Sequence, residues 1–330
     1  MMATLVGEPF SGPEWLFEVK WDGYRSLAFL REGHVRFFSR NQNEQTSEFP
    51  EMRELAERMG AETAIIDGEI VALDEEGRPS FSLMQQRSGL LGPEKRRAPE
   101  RGIAIVYYAF DLLYLNGYSL FGVALEKRKE LLQQVLTPSD RIRYSGHFLE
   151  AGEDLYRVAR ARGLEGIVAK RRQSHYLQKR SAEWLKIKIT RRQECVIGGY
   201  TDPGGSRPHF GSLVLGLYDE QGRLVPVGQA GSGFNRKSHD DMWGRLNALQ
   251  TTKSPFALPP EATRGIHFVK PEMVAEIKFT EWTHEGDSGG VKMRAPVFQG
   301  LRLDKSPRDC VLESKIPVKE AMVRAGGDPG

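Results

Sequence analysis

Short apolar runs of strand length recur along the chain, each closed by a turn signal. Trp15 to Lys20 (WLFEVK) reads as a buried strand running into the polar turn Trp21-Asp22-Gly23-Tyr24-Arg25. Leu27–Leu30 and Val35–Phe38 flank Arg31-Glu32-Gly33-His34 and predict a hairpin. Ala64 to Leu73 is a further strand, turned by Asp74-Glu75-Glu76-Gly77. Ile103 to Tyr108 is continuously apolar, as expected of a strand covered on both faces. Gly166–Lys170 and Trp184–Ile189 are two more. Helical spacing marks Glu51–Met59, Leu125–Leu136 and Asp154–Arg162. The first part of the chain is therefore a mixed α+β domain.

After Arg192 the pattern changes. Cys195–Tyr200, Leu213–Tyr218, Leu224–Val227 and Val274–Phe279 predict short strands, interrupted by one helix near Ser238–Leu249. That content fits a small β-barrel such as an OB-fold. The length of 330 residues suits two domains, here 1–191 and 192–330, with only the polar tail Ala325–Gly330 unstructured. Hydrophobic residues at 39% and charged residues at 28% are ordinary for a globular chain and exclude disorder. No apolar run approaches the ~20 residues of a spanning helix, and no signal-peptide pattern opens the chain, so no membrane partner and a cytoplasmic location are expected. Cys195 and Cys310 are the only cysteines, too few for a four-cysteine zinc site or a disulfide framework. There is no G-x-x-x-x-G-K-[ST], so a bound nucleotide is not held by a P-loop.

The net charge is only +3, but residues 170–192 concentrate it. Lys170, Arg171, Arg172, Lys179, Arg180, Lys186, Lys188, Arg191 and Arg192 face a single acid, Glu183. Such a run is either a solvated basic face or a surface for nucleotide or nucleic-acid phosphates. Lys186 and Lys188 alternate with Leu185, Ile187 and Ile189, which puts both cations on one face of their strand.

Lys20 is the chemical candidate. A lysine leaving an apolar strand is partly desolvated, and desolvation or neighbouring cations lower its pKa and make the amine nucleophilic. Lys20-Trp21-Asp22-Gly23-Tyr24-Arg25 resembles motif I of the covalent nucleotidyltransferases. Ser39-Arg40-Asn41, Ile66-Asp67-Gly68-Glu69 and Phe110-Asp111-Leu112-Leu113-Tyr114-Leu115-Asn116-Gly117 resemble the motifs that follow in that family. Glu165-Gly166-Ile167-Val168-Ala169-Lys170 is similar to motif IV, Trp184-Leu185-Lys186-Ile187-Lys188 to motif V, and Phe298-Gln299-Gly300-Leu301-Arg302-Leu303-Asp304-Lys305 to motif VI. Each motif is weak alone; their order over almost the whole chain is specific, and it is that of ATP-dependent DNA ligases. Ile197–Tyr200, Phe210–Gly216 and Glu276–Thr283 resemble the bacterial members, in particular the ligase module of the non-homologous end-joining ligases and its standalone relatives.

The resemblance implies a nucleotidyltransferase (ATP-grasp-like ligase) catalytic domain of antiparallel sheets and helices, then an OB-fold barrel. It implies that Lys20 attacks the α-phosphate of ATP, with Asp22 beside it in the motif, and that AMP then passes to a DNA 5′-phosphate. Arg25 and Arg40 would bind ribose or phosphate, Glu18 and Phe110 the adenine, and Lys170, Lys186 and Lys188 phosphates. Glu69 and Glu165 would serve Mg2+ (or Mn2+) and the ribose hydroxyls. Arg302, Asp304 and Lys305 would orient pyrophosphate from the second domain, with Leu303 in place of a more usual acid. The expected partner is nicked or broken duplex DNA, bound by a monomer associated with a bacterial nucleoid, and end-joining or repair proteins are not readable. Neither a DNA-encircling helical domain before Lys20 nor a polymerase or nuclease module after it is read in these residues; as a fragment the chain would leave such modules outside it, and as a whole protein it would grip nicked DNA with the basic segment and the barrel alone. The rival readings are an RNA ligase or an mRNA capping guanylyltransferase using the same lysine, or a non-catalytic nucleic-acid-binding module. Retention of Lys20, Glu69 and Glu165 speaks against the last, and the cysteine count against an NAD-dependent ligase.

Overall fold

The structure is a computed structural model that describes residues 1–87, 103–204, 208–260, 265–285, 290–312 and 315–326. The chain divides into two compact units. Among the described residues the first holds 1–87, 103–190 and 315–326, and the second those of 191–312.

The first unit begins with β1 (Met2–Leu5), β2 (Trp15–Val19), β3 (Tyr24–Arg31) and β4 (His34–Ser39). Helix α1 (Leu55–Arg58), β5 (Thr63–Leu73), α2 (Phe81–Arg87), β6 (Ala104–Leu115) and β7 (Tyr118–Ser119) follow. Helix α3 (Leu125–Val135), β8 (Ile142–Tyr144), β9 (His147–Leu149), α4 (Gly152–Ala161), β10 (Gly166–Arg171) and β11 (Arg180–Lys188) complete its main run. They form two sheets. One is ordered β1-β11-β10-β2-β9; the other is β4-β3-β5-β6-β7 with β8 added beside β6. Pairing is antiparallel except for β1–β11 and β6–β8, so the expected antiparallel sheets carry two parallel edge pairs.

Three apolar layers hold this unit together. Tyr24, Phe37, Phe49, Met52, Leu55, Ile66, Ile70 and Tyr107 pack under the outer face of the second sheet. Leu16, Phe110, Leu113, Tyr176 and Trp184 fill the space between the sheets. Phe17, Ile167, Ala169, Leu185 and Ile187 face away from that space and pack with Leu155 and Ala159 of α4. Strand alternation explains the sorting: Phe17 goes to the α4 side while Leu16 and Glu18 point between the sheets. At the start of α4, a side chain on Gly152 would overlap the Phe10 carbonyl and the Phe17 ring. Gly152→Ala is therefore expected to cost about 1–3 kcal/mol through overpacking, read as a lower urea midpoint with an unchanged slope.

The second unit contains β12 (Arg192–Thr201), β13 (Leu213–Tyr218), β14 (Leu224–Ala230), α5 (Arg236–Ala248), β15 (Gln250–Thr251) and β16 (Ile266–Lys278). The hairpin β17 (Glu281–Glu285) with β18 (Gly290–Arg294), then β19 (Val297–Leu301), complete it. The sheet order is β14-β13-β12-β16-β15, with β19 on β16. Its core is its own, built on Val196, Ile197, Phe210, Leu215, Leu246 and Ile277. Asn235 caps α5 through a reciprocal pair of bonds with Ser238.

The reading of 192–330 as one domain is corrected here. After Leu312 the chain returns to the first unit. Ile316 bridges Val6, and helix α6 (Val318–Arg324) sets Ala321 and Ala325 into the layer beside α4. Arg171 donates to the Ala325 carbonyl and so closes the end of α6. Of the tail expected to be unstructured, Ala325 and Gly326 each offer a carbonyl to Arg171, and 327–330 lie outside the described residues. Short alanines carry that burial, and they give little signal in a polar segment.

Candidate active site

Strand β2 delivers Glu18 into the space between the sheets and ends at Lys20, whose backbone amide bonds the Gly166 carbonyl at 2.9 Å. The Lys20 ammonium donates to Glu165 Oε2 at 2.5 Å, with the lysine side chain 24% exposed. Burial disfavours the charged amine, but the Glu165 carboxylate, with Glu69 and Asp22 behind it, outweighs burial and holds the pKa well above the usual lysine value. This reverses the expectation that Lys20 titrates low. The environment expected for it surrounds Lys170 instead. That amine is 3% exposed, lies over the Phe110 and Trp184 rings at 4.4 and 4.2 Å, and is pushed down by burial to about 8.

A neutral amine reacts with acylating reagents and an ammonium does not. Because the Lys20 pKa is raised, its neutral fraction at any pH below that pKa is smaller than that of a surface lysine. Competitive labelling of the ligand-free chain with acetic anhydride is therefore expected to show Lys20 reacting less than surface lysines at pH 9. In Glu165→Gln its reactivity should rise toward theirs. Equal reactivity in the native chain would refute the pairing.

Glu18 is 2% exposed and accepts from Lys129 Nζ at 2.8 Å, Lys170 Nζ at 3.0 Å and Ser145 Oγ at 3.1 Å. Burial raises its pKa, but the two ammonium groups win and keep it below the ordinary carboxylate value. Phe110 is 9% exposed, and strand β6 continues past it to Leu115. It meets Trp184 edge-on at 6.1 Å between ring centroids. Glu18, two residues upstream of Lys20, therefore forms one polar-and-aromatic wall with Lys170, Phe110 and Trp184.

Arg25 was expected on a phosphate or ribose. It is held in a fork by Asp67 at 2.9 and 2.6 Å and donates to the Met1 carbonyl at 2.6 Å. Its outward face remains partly exposed, with 26% of the side chain accessible. Asp67, in turn, accepts from the Tyr176 hydroxyl at 2.8 Å. Arg25 and Glu69 are register partners on β3 and β5, and Glu69 pairs with Tyr108 on β6. Glu69 thus stands on the inter-sheet face, near enough to act on both Lys20 and Arg25. Arg40 follows β4 in a turn, half-buried. Lys186 and Lys188 are half-buried on β11, while Leu185 and Ile187 are buried on the opposite face, as the alternation requires.

The basic run 170–192 does not form one phosphate surface. Lys170 goes to Glu18, Arg171 to Glu14 and the end of α6, Arg172 to Glu126, and Arg180 to the Ala3 carbonyl. Four of its nine cations are thus spent on contacts within the first unit.

In the second unit Arg302 is 8% exposed and forks onto Asp304 at 2.8 Å through Nε and Nη2, while Nη1 lies 3.1 Å from Glu276 and 3.6 Å from Glu194. Lys305 lies 3.2 Å from Glu194. Arg302 and Asp304, expected to orient pyrophosphate, are occupied with each other inside the barrel.

Sequence reasoning missed Asp67, Tyr176, Lys129 and Ser145. Asp67 was within reach, since it alternates with Glu69 on one strand face. The other three arrive from distant segments. Among the described residues no three His, Cys, Asp or Glu side chains converge into a metal cage. Magnesium, however, takes one or two carboxylates plus phosphate oxygens and water. Three carboxylates acting on one ammonium leave a local surplus of negative charge that suits such an ion.

The sequence model described as "ATP dependent DNA ligase domain" matches residues 4–188, more than half of the chain, and "ATP dependent DNA ligase C terminal region" matches 206–305. The chain belongs to the ATP-dependent DNA ligase family. Its two units are thus the nucleotidyltransferase domain and the OB-fold domain of that family. The multifunctional non-homologous end joining protein LigD of Pseudomonas aeruginosa is 40% identical over 93% of this chain and 36% of its own length. The corresponding DNA repair protein of Mycobacterium tuberculosis is 38% identical over 91% of this chain and 38% of its own. The chain therefore spans little more than a third of these relatives. A solved structure of mycobacterial DNA ligase D complexed with ATP and MES superposes with a TM-score of 0.60 at 33% identity, covering 95% of this chain and 98% of the other. No helix of the described residues is long and apolar enough to cross a membrane.

Proposed function

We propose that the chain seals breaks in duplex DNA through a lysyl-AMP intermediate formed on Lys20. The observation that carries this is the Lys20 amine, accessible and ringed by Glu165, Glu69 and Asp22, beside the wall of Glu18, Lys170 and Phe110. Glu18 and Phe110 are suited to an adenine, which offers a polar edge and a flat face. Glu165 passes the ammonium proton on to solvent and is left as a carboxylate. The freed amine attacks the α-phosphorus of ATP; an N–P bond forms and the bond to the β-phosphate oxygen breaks, releasing pyrophosphate. A DNA 5′-phosphate oxygen then displaces the lysine from phosphorus, and a 3′-hydroxyl displaces AMP to form the phosphodiester. Glu69 and Glu165 would hold a divalent cation, which when bound offsets phosphate charge. Arg25, braced by Asp67, turns its outer face to ribose or phosphate, and Arg40, Lys186 and Lys188 add phosphate contacts. We assign Arg302 and Asp304 to bracing the barrel, and Lys305 to any pyrophosphate contact from that domain. The similarity to the end-joining proteins supports a place in double-strand break repair.

The test uses α-phosphate-labelled ATP or GTP with Mg2+ or Mn2+, after stripping bound AMP with pyrophosphate. Acid-labile label from ATP alone, chased onto nicked DNA and then lost as the nick seals, is expected. Label from GTP would move the assignment to capping, and sealing restricted to RNA strands to an RNA ligase. Absence of any label would overturn the proposal.

A further inference from the structure

Ser145 lies at the seam between the two sheets of the first unit, just after β8, and is 1% exposed. Its hydroxyl accepts from Trp21 Nε1 at 3.0 Å and donates to Glu18 Oε2 at 3.1 Å. Trp21 follows the nucleophile directly, and Glu18 precedes it by two residues. One buried hydroxyl therefore ties down the chain on both sides of Lys20. Ser145 is itself fixed: its amide donates to the Ala109 carbonyl at 2.7 Å, and its carbonyl accepts from Lys129 Nζ at 3.2 Å. The indole is fixed as well. It stacks on Tyr108 with ring centroids 3.6 Å apart and planes 12° from parallel, and Arg143 donates to the Tyr108 hydroxyl at 3.2 Å.

We infer that Ser145, acting through Trp21 and Glu18, is a positioning residue for Lys20. The inference rests on the lysyl-AMP reading above. Trp21 sits on the turn after Lys20, where an aromatic ring can swing. The Tyr108 stack limits sliding of the indole, and the Ser145 bond limits its rotation. A nucleophile displaced by about 1 Å loses on the order of 10²-fold in rate. The part of the reaction that depends on this brace is amine attack on the α-phosphorus. Attack of a 3′-hydroxyl on a DNA-adenylate does not use the amine.

The experiment compares native chain, Ser145→Ala, Trp21→Phe and the double variant in two assays. Trp21→Phe keeps an aromatic face for Tyr108 and removes the N–H. The first assay is the rate of lysyl-AMP formation at saturating ATP, with the ATP KM. The second is sealing of a nick already carrying 5′-AMP. We expect each single variant to slow lysyl-AMP formation about 10- to 100-fold, with the KM for ATP within about threefold and sealing unchanged. The double variant should be no slower than the slower single one, because both remove the same bond. Ser145→Thr, which keeps the hydroxyl, should restore most of the rate. A raised KM at unchanged rate would assign Ser145 to adenine binding through Glu18 and overturn the inference, as would equal loss in both assays or fully additive effects. Failure of the native chain to form lysyl-AMP overturns the ligase reading and this inference with it.

Discussion

In Lys20→Ala, labelled ATP and a divalent cation are expected to leave no acid-labile AMP on the protein, and unadenylylated nicks stay open. Removal of an enzyme nucleophile costs on the order of 10⁴–10⁶-fold, which here is complete loss on the scale of the assay. Two other lysines lie near the site. Lys170 has the lower pKa, near 8, and is by that measure the better nucleophile. It is 3% exposed, however, and closed in by Phe110 and Trp184. Lys129 is 1% exposed, with donors committed to Glu18 and the carbonyls of Phe110 and Ser145. Only Lys20, of the three, is open to a ligand. Accessibility therefore outweighs pKa, and the ammonium at Lys20 must be discharged when ATP arrives; Glu165 at 2.5 Å is the base in place. Peptide mapping of native protein should find AMP on Lys20. Sealing of pre-adenylylated nicks should survive in Lys20→Ala. Persistent label in that variant would put the nucleophile elsewhere, with Lys170 the first position to map.

The parts of the site that were legible in the sequence are those written into contiguous residues. Lys20, Glu69 and Lys170 each stand at a strand or strand end with an apolar run beside them, and β-sheet alternation sorts Leu185 and Ile187 from Lys186 and Lys188. What pairs with what was not legible. Glu165 lies 145 residues from Lys20, and Lys129 lies 111 residues from Glu18. Composition says that residues 170–192 are basic but not that Arg171, Arg172 and Arg180 each close a local contact. The same limit applies to Arg302 and Asp304: the resemblance implies a pyrophosphate contact, and the sequence does not show that the two side chains also pair with each other. The return of the chain into the first unit was hidden for a different reason. Ala321 and Ala325 are buried because they are small enough to fit against the sheet, and a small residue in a polar segment leaves no apolar period to read.

Asp111→Ala is expected to destabilise the first unit by about 3–5 kcal/mol, the cost of leaving a buried partner charge uncompensated. Asp111 and Arg128 are both 0% exposed. The guanidinium forks onto the carboxylate at 2.8 Å through Nε and again at 2.8 Å through its terminal nitrogen. It also donates to the Val123 carbonyl at 2.5 Å and the Ser174 carbonyl at 3.0 Å, so α3, β6 and the segment before Tyr176 meet on one side chain. The carboxylate accepts from the Leu112 amide at 2.9 Å. Water is shut out, so losing the carboxylate leaves a cation facing neutral carbonyls alone. That loss is comparable with much of a domain's whole stability of about 5–15 kcal/mol. Replacing both partners, as in Asp111→Leu with Arg128→Met, removes the unpaired charge and should cost clearly less than the sum of the single changes. Urea unfolding of the native chain, both singles and the double measures this directly. A single-variant cost below about 1 kcal/mol would mean that water reaches the pair, since such a cost is typical of a surface ion pair. Additive costs would mean that each side chain acts through packing rather than through the other's charge. Because α3 also carries Lys129, loss of the pair should loosen the clamp on Glu18 as well.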